Sequence, residues 1–237
     1  MDNLINQIKE DRGIKDDDIT ELDLRNKRIK KIEGLDKLVN LTKLDLSHNQ
    51  ITEIRGLHNL INLTHLWLSE NQITKIEGLD KLVNLESLDL SNNQIEEIEG
   101  LDNLVNLTHL WLSENQITKI QRLDKLINLA HLYLSWNQIT EIEGLDNLVN
   151  LTNLNLSHNK ITKIKNILHL RRLETFSHYG NPIEYIPPHI QRFLNRIRNK
   201  ETIYNNSQSV HDHNIQQSVI QSVNNLLSNP YYESIFV

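Results

Sequence analysis

Histidines and acidic residues are the side chains of this sequence that could do chemistry at a metal or catalytic site. His109 and His131 are 22 residues apart and take the same place in successive repeats, as does His65 two units earlier. Neighbouring strands lie about 4.8 Å apart, so His109 and His131 would be close enough to share a metal ion. A zinc site needs at least three protein ligands, and no third column of ligands accompanies them. The pattern therefore does not favour a metal site.

A catalytic site is not indicated either. The chain contains no cysteine, which excludes thiolate ligands, cysteine nucleophiles and disulfides. It contains no H-E-x-x-H motif and no glycine-rich loop for a nucleotide phosphate. Its serines, histidines and aspartates recur at repeat positions instead of forming a separate constellation. We therefore expect neither an enzyme nor a cofactor.

Aromatic residues are better candidates, and the function that they indicate is binding. Alternation along a strand directs Trp67, Trp111 and Tyr133 away from the core. The predicted partner-binding residues are Trp67, Trp111, Tyr133, Trp136, His65, His109, His131, Asp45, Asp89, Glu70 and Glu114. Exposed aromatic residues are typical binding anchors, and the acids favour a partner with a basic segment. Two explanations of these aromatic residues that require no partner stay open. Trp and Tyr favour strands in general, and duplication of a repeat multiplies any residue that it contains.

A repeat of 22 residues must position these side chains. The first leucine of each successive repeat is Leu41, Leu63, Leu85, Leu107, Leu129, Leu151 or Leu173, and an earlier unit starts at Ile19. The pattern is L-x-x-L-x-L-x-x-N-x-I, which degenerates in the last unit. In Leu66-Trp67-Leu68 the leucines point to one side of a strand and Trp67 to the other. We expect an α/β solenoid, a right-handed horseshoe with a parallel concave sheet of eight strands, short 3₁₀ or irregular convex segments and helical caps.

Asparagine and glycine also recur at fixed positions. The asparagines are Asn49, Asn71, Asn93, Asn115, Asn137, Asn159 and Asn181. An asparagine amide both donates and accepts hydrogen bonds, so it can satisfy the backbone at the turn leaving each strand. We call these asparagines the asparagine ladder. Lys27 takes the same position in the first unit, which fits the role of a terminal repeat. Arg122 replaces the turn glycine in one unit, so we expect that this turn does not strictly require positive φ.

The periodicity divides the chain into four parts. Residues 1–18 are predicted to form an N-terminal cap, 19–183 the eight repeats, 184–200 a C-terminal cap helix, and 201–237 a polar tail with a short amphipathic helix. Stacked repeats need such caps because their ends expose sheet edges and an open core.

Charge and hydropathy restrict the partners and the compartment. The net charge is −6, which argues against a nucleic-acid partner. No apolar run approaches the roughly 20 residues that span a bilayer, and the start of the chain does not resemble a secretory signal. The N-L-T triplets at Asn40 and Asn62 match the glycosylation acceptor, but the repeat generates them. We therefore expect a cytoplasmic protein.

The repeat with G-L-D-x-L-x-N-L resembles the short leucine-rich repeats of the type-1 protein phosphatase regulatory subunit, and it is similar to the repeats of bacterial internalin adhesins. The resemblance covers residues 19–183 and implies a leucine-rich-repeat fold. The Asn-, Ile- and Lys-rich composition resembles that of AT-rich genomes such as those of large amoeba-infecting viruses, which would place the protein in the host cytoplasm. The expected function is a non-catalytic scaffold or adaptor that binds another protein on its concave face. The alternatives are a secreted or surface adhesin and a phosphatase regulatory subunit.

Overall fold

The computed structural model describes residues 15–197, and its framework is one parallel β-sheet. The strands are β1 (Glu21–Asp23), β2 (Lys43–Asp45), β3 (His65–Trp67), β4 (Ser87–Asp89), β5 (His109–Trp111), β6 (His131–Tyr133), β7 (Asn153–Asn155) and β8 (Thr175–Ser177). They pair in sequence order as an 8-stranded sheet, each strand parallel to the next. The predicted solenoid of parallel strands is confirmed.

The register of the sheet superimposes the repeats. Leu66 pairs with Leu44 on one side and with Leu88 on the other, so identical positions of successive repeats lie side by side. The middle residue of every strand from β1 to β7 is buried, and alternation directs its two neighbours to the opposite face. Each repeat therefore adds the same kinds of side chain to the same two surfaces.

Aliphatic side chains fill the space behind the sheet. In one repeat the buried set is Leu63, Leu66, Leu68, Ile73, Ile76, Leu79 and Leu82, none of them more than 1% exposed. Full burial of one such side chain stabilises the fold by roughly 1.5–3 kcal/mol relative to exposure. Each repeat shields its neighbours from water, so the stability of the stack is a property of the whole array.

The chain returns on the convex side through consecutive turns. Leu82 N–H donates to the Leu79 carbonyl at 2.9 Å, and Leu85 N–H donates to the Leu82 carbonyl at 3.0 Å. Each bond closes a turn of the kind found in a 3₁₀ helix, and the turns are too short to build a regular one. These segments agree with the predicted short or irregular convex side.

The glycine turn corrects one sequence-based expectation. Gly78 and Gly100 have φ of +74° and +69°, a left-handed conformation that glycine adopts without steric cost. A Cβ added at Gly100 would collide with the carbonyl oxygen of Ile76 in the preceding repeat. Arg122 takes the same place with φ of 57°, so the expectation that this turn does not require positive φ is wrong. The turn keeps its geometry and the arginine is held in a strained conformation.

The asparagine ladder is confirmed, and it joins each repeat to the preceding one. Asn115 Oδ1 accepts the Ile95 N–H at 2.9 Å, while Asn115 Nδ2 donates to the carbonyls of Leu90 at 3.0 Å and Leu112 at 3.1 Å. Asn115 is 8% exposed, so these backbone groups have little access to water. Equivalent bonds recur at every ladder asparagine, which are Asn49, Asn71, Asn93, Asn137, Asn159 and Asn181.

Two further ladders explain the N-L-T triplets. Asn106 Nδ2 donates to the Val83 carbonyl at 3.0 Å, and Thr108 Oγ1 donates to the Glu86 carbonyl at 2.9 Å. Leu107, between them, is buried in the core. The asparagine bond recurs at Asn62, Asn84, Asn128 and Asn150. All three residues of the triplet therefore have structural roles, which account for its recurrence.

Short helical segments stand at both ends of the described range. Asp16–Asp18 form a 3₁₀ helix before β1. Residues 188–197 are helical, and Ile190, Phe193 and Leu194 are buried, which makes a small C-terminal cap. The predicted N-terminal capping helix near residues 4–8, the end of the cap helix at Arg198 and the tail helix within 201–237 lie outside the described residues.

Candidate functional site

The concave face presents its outward side chains in three columns. The first column is made by the first residue of each strand and includes His65, Ser87, His109 and His131. The second, which we call the Trp111 column, is made by the third residue of each strand: Asp23, Asp45, Trp67, Asp89, Trp111, Tyr133, Asn155 and Ser177. The third, the turn column, lies three residues further along each repeat and includes Glu70, Glu114 and Trp136. All the predicted binding residues fall in these columns.

Short polar residues in the Trp111 column have a structural role. Asp45 Oδ1 accepts the Ser47 N–H at 2.9 Å, and Asp89 Oδ1 accepts the Ser91 N–H at 2.9 Å. Asn155 makes the same bond to the Ser157 N–H at 3.0 Å. A side chain that accepts a hydrogen bond from the backbone two residues on is a local turn cap, so part of each carboxylate is already committed to the fold.

The aromatic residues of the same column do not provide this cap. Trp67, Trp111 and Tyr133 replace an Asp or Asn and have no acceptor that could take the N–H two residues on. A typical hydrogen bond contributes about 0.5–1.5 kcal/mol, so these positions forgo a local stabilisation that Asp89 retains. Their aromatic character therefore has no explanation in the turn that follows the strand.

Four rings from β5 and β6 form a group that we call the central ring group. His109 stacks on His131 with centroids 4.2 Å apart and planes 7° apart. Trp111 stacks on Tyr133 with centroids 5.8 Å apart and planes 4° apart. The two pairs also touch within their own strands, since His109 lies 5.5 Å from Trp111 and His131 lies 6.4 Å from Tyr133. Mutual contact leaves all four half-buried and holds them in place.

The outward positions of Trp67, Trp111, Tyr133 and Trp136 in the sequence predict one aromatic strip, but Trp67 and Trp136 lie outside this group. Trp67 contacts His65 at 5.6 Å on β3, and Asp89 of β4 separates it from Trp111. Trp136, in the turn column, stacks on His158 at 3.8 Å with planes 12° apart, and His158 contacts Tyr179 edge-on at 4.6 Å. Three ring groups therefore replace one continuous strip.

Trp136 is held in a strained and exposed position. It is 57% exposed and has a left-handed φ of 56°, a conformation that is unusual for a bulky residue. Its neighbours His158 and Tyr179 are not among the binding residues predicted from the sequence. Tyr179 could have been recognised as unusual from the sequence, because the equivalent position of the preceding repeats, from Ser47 to Ser157, is always serine.

Charges on this face are neutralised at the N-terminal end of the sheet. Arg25 pairs with Asp23 at 2.7 Å and with Asp45 at 3.3 Å, and the hydrogen bond from Arg25 lowers the pKa of Asp23. Lys43 pairs with Glu21 at 2.7 Å. Further along, His48 Nδ1 lies 2.7 Å from Glu70. Within residues 15–197, neither Asp89 nor Glu114 has a salt-bridge partner, so negative charge is left uncompensated near the centre of the sheet.

Burial keeps the first-column histidines neutral. Desolvation lowers the pKa of His65, His109 and His131, with nearby Lys43 adding to the effect at His65 and His131 adding to it at His109. Burial also raises the pKa of Tyr133. Near pH 7 the central ring group is therefore an uncharged, stacked aromatic surface beside carboxylates that have no salt-bridge partner among the described residues.

Neither metal-binding nor membrane-spanning features emerge from the described part of the chain. Between residues 15 and 197, no three His, Asp or Glu side chains are grouped so that they could hold a metal ion. In the same range no helix is long and apolar enough to cross a bilayer.

Comparison with protein families assigns the repeats. The family described as "Leucine Rich repeats (2 copies)" matches residues 18–59, 61–103 and 105–147, and the family described as "Leucine Rich Repeat" matches residues 150–170. These matches cover more than half of the chain. This chain belongs to the leucine-rich-repeat family. No curated protein matches the chain significantly in a sequence search.

Solved structures place this leucine-rich-repeat protein close to the internalins. Internalin C2 of Listeria monocytogenes is 34% identical, with a TM-score of 0.70 over 76% of this chain and 84% of that one. An internalin (inlF) of the same organism is 32% identical, with a TM-score of 0.69 over 72% of this chain. A leucine-rich-repeat protein of Leptospira interrogans is 28% identical, with a TM-score of 0.72 over 78% of this chain. This chain spans 51% of the inlF structure and 48% of the Leptospira protein.

Proposed function

We propose that this leucine-rich-repeat protein is a non-catalytic adaptor that holds another protein on its concave face. The observation that carries the proposal is the replacement of turn-capping residues by aromatic ones in the Trp111 column. Asp89 caps its turn through the Ser91 N–H, whereas Trp67, Trp111 and Tyr133 give up that bond and present rings instead. Residues that cost a local hydrogen bond and do not enter the core are best explained by contact with a partner.

Rigidity supports the same role. The rings stand on strands whose middle leucines are fully or almost fully buried, and the asparagine ladder fixes the turns that follow. Little ordering is required when a partner binds such a surface, so less of the interaction energy is lost to conformational entropy. The leucine-rich-repeat fold is typical of protein–protein interaction, which agrees with this use of the face.

The deciding experiment compares captured proteins. The full chain is used as bait beside Trp111→Ala and Lys125→Ala variants, and the captured proteins are quantified by mass spectrometry. Lys125 is exposed on the convex side and serves as the matched control. We expect at least one protein to be captured by the wild type and by Lys125→Ala but to be strongly depleted with Trp111→Ala. Equal capture by all three baits would contradict the proposal.

A secreted or surface adhesin is the second candidate, and the similarity to internalin C2 over 84% of that chain favours it. The two candidates differ in compartment, since we propose a cytoplasmic location for the adaptor. Cell fractionation separates them: export together with glycans on Asn40 or Asn62 would support the adhesin. A phosphatase is one class of partner that we propose for the adaptor, and phosphatase activity in the captured fraction would identify such a partner.

A further inference from the structure

Trp67, Asp89 and Trp111 form an arrangement on the concave face that suits one kind of ligand group. Strand pairing places Asp89 between the two tryptophans in the Trp111 column. Strands of a sheet lie about 4.8 Å apart, so the two indoles are separated by roughly 9–10 Å. A flat cation between them would lie roughly 5 Å from each ring, within the 6 Å at which cation–π attraction acts.

Trp111 has a ring beside it on the β6 side of the column, whereas its neighbour on the β4 side is not aromatic. Tyr133 of β6 lies parallel to Trp111 with planes 4° apart and centroids 5.8 Å apart. The residue paired with Trp111 on β4 is Asp89, whose short side chain leaves room beside the indole. In the adjacent first column, Ser87 stands between His65 and His109, and its small side chain is buried. The positions on both sides of Asp89 therefore carry indoles, and the residue beside it in the first column is too small to fill the gap between them.

Asp89 has one carboxylate oxygen available for a ligand. Its Oδ1 accepts the Ser91 N–H at 2.9 Å, whereas Oδ2 has no partner among the described residues. The nearest histidines cannot supply a strong positive charge near pH 7, since burial lowers the pKa of His65 and His109.

The chain itself shows what such a carboxylate binds. Asp45 holds the equivalent place two repeats earlier, and the guanidinium Nε of Arg25 lies 3.3 Å from Asp45 Oδ2. Arg25 precedes Asp45 by 20 residues, and the residue 20 before Asp89 is Ser69. Ser69 Oγ donates to Ser47 Oγ at 3.1 Å, so it supplies no cation to Asp89. The site at Asp89 therefore lacks the guanidinium that the first repeat provides for Asp45.

We propose that Trp67, Asp89 and Trp111 form a slot for an arginine side chain of the partner. A guanidinium is planar and stacks on aromatic faces, and its N–H groups can bind a carboxylate at the same time, whereas an ammonium offers no flat surface. The slot rests on the proposed protein-binding role of the same face, and it specifies the residue that this face recognises.

The test uses short peptides, because they probe the slot without the partner. The full chain, labelled with nitrogen-15, is titrated with acetyl-Gly-Gly-Arg-Gly-Gly-amide and its lysine and citrulline counterparts. The chain has three tryptophans, so its spectrum contains few indole N–H signals, and Trp→Phe variants assign them. We expect the arginine peptide to shift the Trp67 and Trp111 signals saturably and to leave the Trp136 signal in place. Citrulline has a similar shape without the charge and should have no effect.

Asp89→Asn is the matched variant, because asparagine preserves the turn cap. Asn155 makes the equivalent bond to the Ser157 N–H, so this substitution should leave the fold unchanged. We expect this substitution to weaken the binding of the arginine peptide about tenfold or more, since a hydrogen bond to a charged group is lost. Asp124→Asn on the exposed convex side should change nothing.

Three outcomes would overturn the slot. They are equal binding of the lysine and arginine peptides, an unchanged affinity in Asp89→Asn, and a shift of the Trp136 signal alone. Capture of a protein partner that depends on Trp111 but not on Asp89 would also overturn the slot, while leaving the protein-binding role intact. Capture that does not depend on Trp111 would contradict the proposed function instead.

Discussion

The indole of Trp111 lies parallel to the phenol ring of Tyr133, with planes 4° apart and centroids 5.8 Å apart. The two residues are paired in register on β5 and β6, so the sheet itself sets their separation. The two rings pack beside each other with parallel planes. The arrangement turns two isolated side chains into a continuous apolar surface that is fixed before any partner arrives.

Trp111→Ala should weaken partner binding strongly and reduce stability only slightly. A central aromatic anchor typically contributes about 2 kcal/mol or more to binding. The loss of stability should be about 0.5–1.5 kcal/mol, because the substitution removes the stacking on Tyr133 and His109 but no core contact. Calorimetric affinity for the captured partner and urea unfolding measure the two effects.

Trp111→Asn provides a sharper version of the same experiment. Asparagine can accept the Ser113 N–H as Asn155 accepts the Ser157 N–H, so part of the lost stability should return while binding stays weak. Lys125→Ala should alter neither property. Normal binding by Trp111→Ala together with weak binding by Lys125→Ala would move the binding site to the convex side.

Asn115→Ala should destabilise the fold by about 1–3 kcal/mol, because the buried Ile95 N–H would lose its acceptor, whereas the Leu90 carbonyl keeps the bond from Asn93 Nδ2. Lys27 occupies the ladder position of the first repeat and is exposed, so Lys27→Ala should have little effect. The measurement is the free energy of unfolding in urea for both variants. Similar losses in the two proteins would show that the ladder bonds do not stabilise the stack.

Gly100→Ala should destabilise the protein by at least about 1–2 kcal/mol, since a Cβ is unfavourable at positive φ. The new methyl group would also collide with the Ile76 carbonyl oxygen. Arg122→Gly tests the same turn in the opposite direction, and relief of strain should leave stability unchanged or raise it. Thermal melting of both variants distinguishes these effects, and a stabilised Gly100→Ala would show that the turn can change its conformation.

Stability should fall when the pH drops below about 6.5, the pKa of an unfolded histidine. Burial lowers the pKa of His65, His109 and His131 in the folded state, so the unfolded chain takes up protons first. The stabilisation is present above the unfolded pKa and is lost as the pH falls from there through the folded pKa. Urea unfolding at pH 7.5 and pH 5.5 measures the difference.

The double variant His109→Asn, His131→Asn should show a smaller loss between these two pH values. Asparagine is compatible with the column, since Asn153 occupies it and accepts a hydrogen bond from Thr152 Oγ1 at 2.8 Å. A pH dependence equal to that of the wild type would assign the effect to other groups.

Periodic features could be predicted from the sequence because they are repeated many times. Leu66 and Asn115 stand for positions that recur in almost every unit, and a short strand and a ladder are the structures that satisfy such spacing. The face on which Trp67 and Trp111 lie could be predicted by the same argument, since alternation alone directs them away from the core.

Features that depend on a single side chain or on backbone strain could not be predicted in this way. The strained turn at Arg122 was misread, because sequence shows the residue type and not its φ angle. The division of the aromatic residues was missed as well, since Trp136 finds its contact with His158 in the next repeat instead of with Tyr133. The turn caps at Asp45 and Asp89 also need the geometry, because they depend on a backbone N–H two residues away.

The ladder bonds make the stack directional. Each asparagine bonds to the main chain of the unit before it, so Asn181 accepts the Ile161 N–H at 3.0 Å and donates to the Leu156 carbonyl at 2.8 Å. Truncation just before Asn181 would leave the Ile161 N–H without its acceptor, whereas removal of the first unit would take the Thr20 and Ile29 carbonyls from the N–H groups of Thr42 and Gln50. The first unit therefore supplies main-chain carbonyls and the last unit supplies an asparagine side chain, so the binding face can change in length only if each end keeps a unit that satisfies its neighbour.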